Sequence, residues 1–192
     1  MSHWRFPLGL EDLTNTERLT SPQGEFGYKR SYYFHQGIDL YVEGKPDVKV
    51  HTVESGTVVA IEDFTGPPDH PHWLYTQAVL VEGKSGVVCY GEIEPLPGIK
   101  VGDEIMASTH IAHVRPVIPE GLERPDIFGH SRWMLHLEWY THGARESVSW
   151  HHDDEYPLNL RNPSNMLQES WECEKVLYEK FEPIIANIVK SD

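Results

Sequence analysis

Between residues 48 and 140 the chain is a succession of short apolar runs, rich in β-branched and aromatic residues, each ended by a turn. Val48-Lys49-Val50-His51-Thr52-Val53 and Gly56-Thr57-Val58-Val59-Ala60-Ile61 read as two strands around Glu54-Ser55-Gly56. Ala78-Val79-Leu80-Val81-Glu82 and Gly86-Val87-Val88-Cys89-Tyr90 flank Gly83-Lys84-Ser85 and predict a hairpin. Val101-Gly102-Asp103-Glu104-Ile105 and Ile111-Ala112-His113-Val114 follow, then the alternating run from Met134 to Tyr140. Helical spacing appears only at the end, where Met166, Trp171, Val176, Leu177, Phe181, Ile184, Ile185 and Ile188 recur. Pro183 is expected to break or restart that helix, and its apolar stripe to pack back on the sheet. Strands this short and this many predict a mainly β fold with a C-terminal helix.

At 192 residues there is room for one domain that buries a real core. Sixteen basic against 30 acidic residues give a formal charge of −14, which disfavours nucleic acid and anionic membrane as partners. It is compatible with metal cations and with cationic or neutral ligands. Ser2-His3-Trp4-Arg5-Phe6-Pro7 has no signal-peptide pattern, and no stretch is apolar for long enough to span a bilayer. The expectation is a cytoplasmic protein, with delivery outside the cell by another route left open. The two cysteines, Cys89 and Cys173, match no CxxC pattern, and Cys89 reads as a buried small hydrophobe.

The chemistry concentrates in Phe34-His35-Gln36-Gly37-Ile38-Asp39-Leu40 and Met134-Leu135-His136-Leu137-Glu138. Gly37 is expected to let the backbone turn tightly between His35 and Asp39. In an alternating strand Met134, His136 and Glu138 share one face, with Trp133, Leu135, Leu137 and Trp139 on the other. His35, Asp39 and His136 make a three-ligand zinc site with an open fourth position. Among twelve histidines an HxxxD also arises by chance, so hydrogen-bonded scaffold residues are the plain alternative. His151-His152-Asp153-Asp154-Glu155 reads as a solvated loop.

The order of motifs resembles the lysostaphin-like (LytM-type) zinc metallopeptidases, which cut peptidoglycan. Phe26-Gly27-Tyr28-Lys29-Arg30 is similar to the family's FG-x-R opening, and His35-Gln36-Gly37-Ile38-Asp39 to its HxGxD. Val48 to Val59 is similar to its first strand turn, and Val81 to Gly91 to the strand pair that ends in Tyr-Gly-His. Val101-Gly102-Asp103-Glu104-Ile105 with Ile111-Ala112 resembles its GD turn, and Leu135-His136-Leu137-Glu138 half of its His-x-His. Asn162-Pro163-Ser164-Asn165-Met166-Leu167 resembles its closing segment. The resemblance implies an antiparallel β-sheet of the barrel-sandwich hybrid (duplicated hybrid motif) type, with longer loops at 64–76, 115–131 and 144–161. It divides the chain into an N-terminal extension (1–19), the metallopeptidase-like domain (20–167) and a C-terminal helical appendage (168–192). It puts His35, Asp39 and His136 on the three zinc ligands, and a peptide or peptidoglycan-like ligand beside them.

Two positions depart from the family. Its Tyr-Gly-His is here Tyr90-Gly91-Glu92, and its His-x-His is Met134-Leu135-His136, so both proton-handling histidines are replaced. A thioether does neither of their tasks. Losing two such groups, each worth about 10²–10⁴-fold, predicts a weak or degenerate peptidase that binds or regulates. A second reading keeps an active zinc endopeptidase, with Glu92 or a loop histidine (His113, His130 or His142) as base. In it Glu92 is a base, a fourth ligand or a bystander. A third reading is a metal-free binding module.

Overall fold

The computed structural model describes residues 4–15, 17–44, 46–68, 71–122 and 132–189, with side chains described to position 181. Among the described residues nine strands form one sheet in which every pairing is antiparallel. They are β1 (Ile38–Tyr41), β2 (Lys49–His51), β3 (Gly56–Thr65), β4 (Thr76–Gly83) and β5 (Val87–Pro95), then β6 (Glu104–Ile105), β7 (His110–Val114), β8 (Met134–Tyr140) and β9 (Leu160–Arg161). The main path runs β1-β8-β5-β4-β3-β6, with β7 on β5, β2 on β7, and β9 on β8. Among the described residues one α-helix, α1 (Ser164–Val189), follows the last strand. The mainly β architecture with a C-terminal helix is the one expected.

Strand alternation builds two apolar layers. Val79, Val81, Val88, Tyr90, Leu135 and Leu137 face the larger core, while Ala78, Leu80, Val87, Cys89 and Tyr140 face a smaller one. Each fully buried Val or Leu contributes about 1.5–3 kcal/mol, so a one-residue slip of β8 would expose its whole inner face. The larger core takes in Trp4, Phe6, Leu8, Leu10 and Leu13 from the N-terminal stretch. Backbone bonds from Arg5 to Val53 and from His51 to Pro7 tie that stretch to the sheet.

Several local expectations change. The two runs around Glu54-Ser55-Gly56 do not pair with each other: β2 pairs with β7, and β3 with β4 and β6. The hairpin β4–β5 forms, but β3 reaches Thr65 and β4 starts at Thr76, so the loop between them begins later than composition suggests. The helix continues past Pro183. The hydrogen bond lost there is to the carbonyl of Glu179, an exposed residue whose carbonyl water can serve. Nor does the apolar stripe pack back along its length. Leu167 and Trp171 are buried in the larger core, whereas Val176, Leu177, Tyr178 and Phe181 are between 37% and 64% exposed.

β5 is the pivot of the sheet. Its residues 87–91 pair with β8, and its residues 93–95 pair with β7. Opposite β4 the register moves from Val79↔Tyr90 to Gln77↔Ile93, three residues against two, which places a β-bulge at Gly91-Glu92. Glu92 takes up the extra residue with φ 62°, in the left-handed region.

Candidate metal centre

β1 and β8 run side by side with Asp39 opposite His136, which brings the HxxxD and the strand histidine together across 97 residues of chain. Gly37 allows this approach, and for a different reason from the tight turn expected. It is not among the glycines with positive φ. A Cβ there would lie 2.5 Å from the Leu137 carbonyl oxygen and 2.7 Å from His136 Nε2, so the position needs the missing side chain and not a left-handed backbone.

The three donor atoms converge. His35 Nε2 is 3.0 Å from Asp39 Oδ1 and 3.1 Å from His136 Nδ1, and His136 Nδ1 is 2.8 Å from the same carboxylate oxygen. Among the described residues this is the one group of three whose donor atoms lie close enough to hold a metal. A tetrahedral zinc bound at about 2.0–2.2 Å needs ligand atoms roughly 3.3 Å apart, so a small outward movement admits the ion. The donor set of two imidazole nitrogens and one carboxylate oxygen fits zinc.

What lies behind each ligand fixes its direction. His35 Nδ1 is 2.9 Å from the Glu25 carbonyl, so that nitrogen carries the proton in the neutral ring and Nε2 faces inward. The backbone of His35 is held from both sides, by Gly27 N–H and by the Tyr28 carbonyl. Gln36 Nε2 donates to the Val148 carbonyl, and Phe34 packs on Trp150, so residues 147–151 strap the HxxxD segment down. Asp39 Oδ2 accepts from Arg30 Nη2. His136 Nε2 is 3.1 Å from Glu138 Oε1, while Glu138 Oε2 accepts from Tyr140 Oη at 2.7 Å and Oε1 accepts from Ser147 Oγ at 3.1 Å. His136, Glu138 and Tyr140 are alternate residues of one strand face, so β8 supplies a candidate ligand, a carboxylate that orients it and that carboxylate's anchor.

Electrostatics follow this wiring in the metal-free protein. Burial pushes His136 down, but its hydrogen bonds to Asp39 and Glu138 outweigh this and raise it to about 10. Burial lowers His35 against the pull of Asp39. Asp39 is held well below the ordinary carboxylate range, because His35 and Arg30 more than offset its burial.

The site is closed. His35 and Asp39 are 1% exposed and His136 6%. The Phe64 ring covers His136 at 5.3 Å and also fills the space beside Gly91, where a Cβ would be 2.5 Å from it. Glu92, 8% exposed, sits at the bulge beside Gly91, which pairs with His136. Its Oε2 has no hydrogen-bond partner among the described residues, and burial, then the negative charge of Asp39, pushes its carboxyl up to about 8. Its oxygens lie outside the converging group of three.

Other candidates fall elsewhere. His142 Nδ1 is 3.3 Å from Glu82, and His113 lies on β7 beside His110; neither belongs to the converging group. His130 lies outside the described residues. Met134 heads β8 opposite Tyr41, half-buried. Tyr140 and Ser147 escaped the sequence reading. Continuing the alternation two residues past Glu138 points to Tyr140, whereas nothing in the sequence marks Ser147.

No protein-family model and no curated protein matches the chain. Among solved structures, Csd3 of Helicobacter pylori (orthorhombic crystal) aligns over 94% of this chain at 15% identity and TM-score 0.47, and this chain spans 44% of that one. CbpA of L. salivarius REN aligns over 90% of this chain and 99% of its own, at 19% identity and TM-score 0.51. The likeness to CbpA is one of fold, the antiparallel β-sheet described above.

Proposed function

We propose that the chain is a zinc-binding domain of the lysostaphin-like type whose peptidase activity is weak or absent, and which binds peptide or peptidoglycan-like material or regulates. The observation that carries this reading is a buried group of three donors, His35, Asp39 and His136, close enough together to hold a metal, beside two positions where the resemblance expects proton-handling histidines. Glu92 and Met134 stand there, and the triad is shut off from water. His35, Asp39 and His136 would hold the ion, with Glu25, Arg30 and Glu138 fixing their directions. Bound zinc supplies a Lewis acid that polarises a carbonyl oxygen. Turnover needs, besides, a group that takes a proton from the nucleophile and one that gives a proton to the leaving amine. Met134 can do neither, and a site under Phe64 admits substrate only if that ring moves.

A second reading is favoured by one feature, the buried Glu92 Oε2 at the bulge, which has no hydrogen-bond partner among the described residues. In it Glu92 handles the proton and the domain is an active endopeptidase. Elemental analysis of the purified full chain, beside His35→Ala, tests the metal. About one zinc per chain, lost in the variant, is expected, and no zinc after add-back would overturn the reading. Incubation with peptidoglycan and with glycine-rich peptides tests the activity. Metal-dependent cleavage at ordinary enzyme rates, abolished in Glu92→Gln with zinc content unchanged, would replace the first reading by the second.

A further inference from the structure

The outer side of β2 and β7 carries three imidazoles that the buried site does not use. The two strands pair as Lys49↔His113, Val50↔Ala112 and His51↔His110, so Ile111 is an extra residue on β7. Ile111 and Ala112 are consecutive yet both fully buried, with the bulge turning both inward. In a regular strand His110 and His113, three apart, would lie on opposite faces. The bulge puts them on the same half-exposed face, beside His51. The ring centres of His110 and His113 are 4.7 Å apart at 74°, and those of His51 and His110 5.6 Å apart at 45°.

We propose that His51, His110 and His113 form a second, surface-facing site for a borderline divalent cation such as zinc, nickel or copper(II). Two imidazoles bound through nitrogen to one such ion at about 2.0–2.1 Å have ring centres roughly 5 Å apart, and the two observed spacings bracket that value. Imidazole is the donor these metals favour, and no thiolate competes: Cys89 is buried in the smaller core and Cys173 is on α1. Glu94 on β5 pairs with His113 from the other side and brings a carboxylate across the strand, its ion pair with Arg115 notwithstanding. Lys49 is the cation nearest in register. The donor atoms of the three rings do not converge as they stand, and His110 Nε2 lies 3.1 Å from the Ala112 carbonyl, so closing the site requires the rings to turn. That turn separates this site from the buried triad, whose donors already converge. β5 also stands between the two, since β7 reaches β8 only through it.

The test is titration of the full-length chain with zinc near neutral pH, followed by the imidazole resonances in NMR. His51, His110 and His113 should shift together in a step separate from any shift of His35 and His136. His110→Gln, a surface change checked by an unaltered Tm, should weaken that step by ~10-fold or more. The result reads the same whether or not the buried triad takes metal. Resonances of the three rings that stay put, or a His110→Gln variant that binds as the parent does, would overturn the proposal.

Discussion

Replacing Tyr140 by Phe removes one oxygen and keeps the ring. The ring is fully buried in the smaller core, so its packing survives and no cavity forms. The lost oxygen donates at 2.7 Å to Glu138 Oε2 and accepts at 3.1 Å from the Val148 amide. A hydrogen bond to a charged partner is worth about 1.5–3 kcal/mol, and Val148 is half-buried, so its amide adds little. The expected loss is about 2–3 kcal/mol. For a chain of this size Tm falls by about 2–4 °C per kcal/mol, hence roughly 5–10 °C. The pH dependence has a definite sign. Burial pushes Glu138 up, but bonds from His136, Tyr140 and Ser147 outweigh it and hold the folded carboxyl below its ordinary value. Its contribution is therefore present above the ordinary carboxylate range and lost as pH falls through the folded value. Without the Tyr140 hydroxyl the folded value rises, so the gap in Tm should be widest near neutrality and narrow in acid. Thermal unfolding of both proteins from pH 7 to pH 3 decides it. A variant within a degree of the parent at pH 7, or a gap that grows in acid, refutes the anchoring of His136 through Glu138 and Tyr140.

Two further outcomes follow from the packing. Gly37→Ala should cost about 1–3 kcal/mol by overpacking and should also abolish zinc uptake, since the new methyl meets both the Leu137 carbonyl and His136; unaltered Tm and zinc content would show that β1 and β8 part freely. Trp171→Ala should cost about 3–5 kcal/mol in urea unfolding, against under about 0.5 kcal/mol for Phe181→Ala; similar costs would mean that the outer turns of α1 have a surface to pack on.

The parts of the molecule legible in the sequence are those governed by strand alternation. It sorted Leu135 and Leu137 from His136 and Glu138 correctly, and the β4–β5 hairpin could be read from its turn. Residue type and spacing also singled out His35, Asp39 and His136, which the fold brings together. Three things were less visible. Gly37 has a negative φ and acts through space, which only the neighbouring strand reveals. How far α1 stays against the larger core depends on the tertiary arrangement, so its apolar spacing alone could not separate Trp171 from Phe181. The covering of His136 by Phe64 joins β3 to β8, strands that do not pair with each other.

Both features that go beyond a simple three-ligand site arise where alternation fails. A bulge adds one residue and reverses the facing of all that follow, so a period-two reading assigns the wrong side from that point on. On β7 the extra Ile111 gathers His110 and His113 on one face. On β5 the extra residue falls at the fork where the strand leaves β8 for β7, and Glu92 occupies it. A left-handed backbone costs a non-glycine residue roughly 1–2 kcal/mol, and an unpartnered buried carboxyl oxygen costs about as much again. Glycine there would remove both costs and fill the turn as well. The carboxyl group, rather than the backbone geometry, is thus what distinguishes Glu92. Replacement by Gln, which keeps the bulge and its strain but removes the acid, is for that reason more informative about function than replacement by Gly.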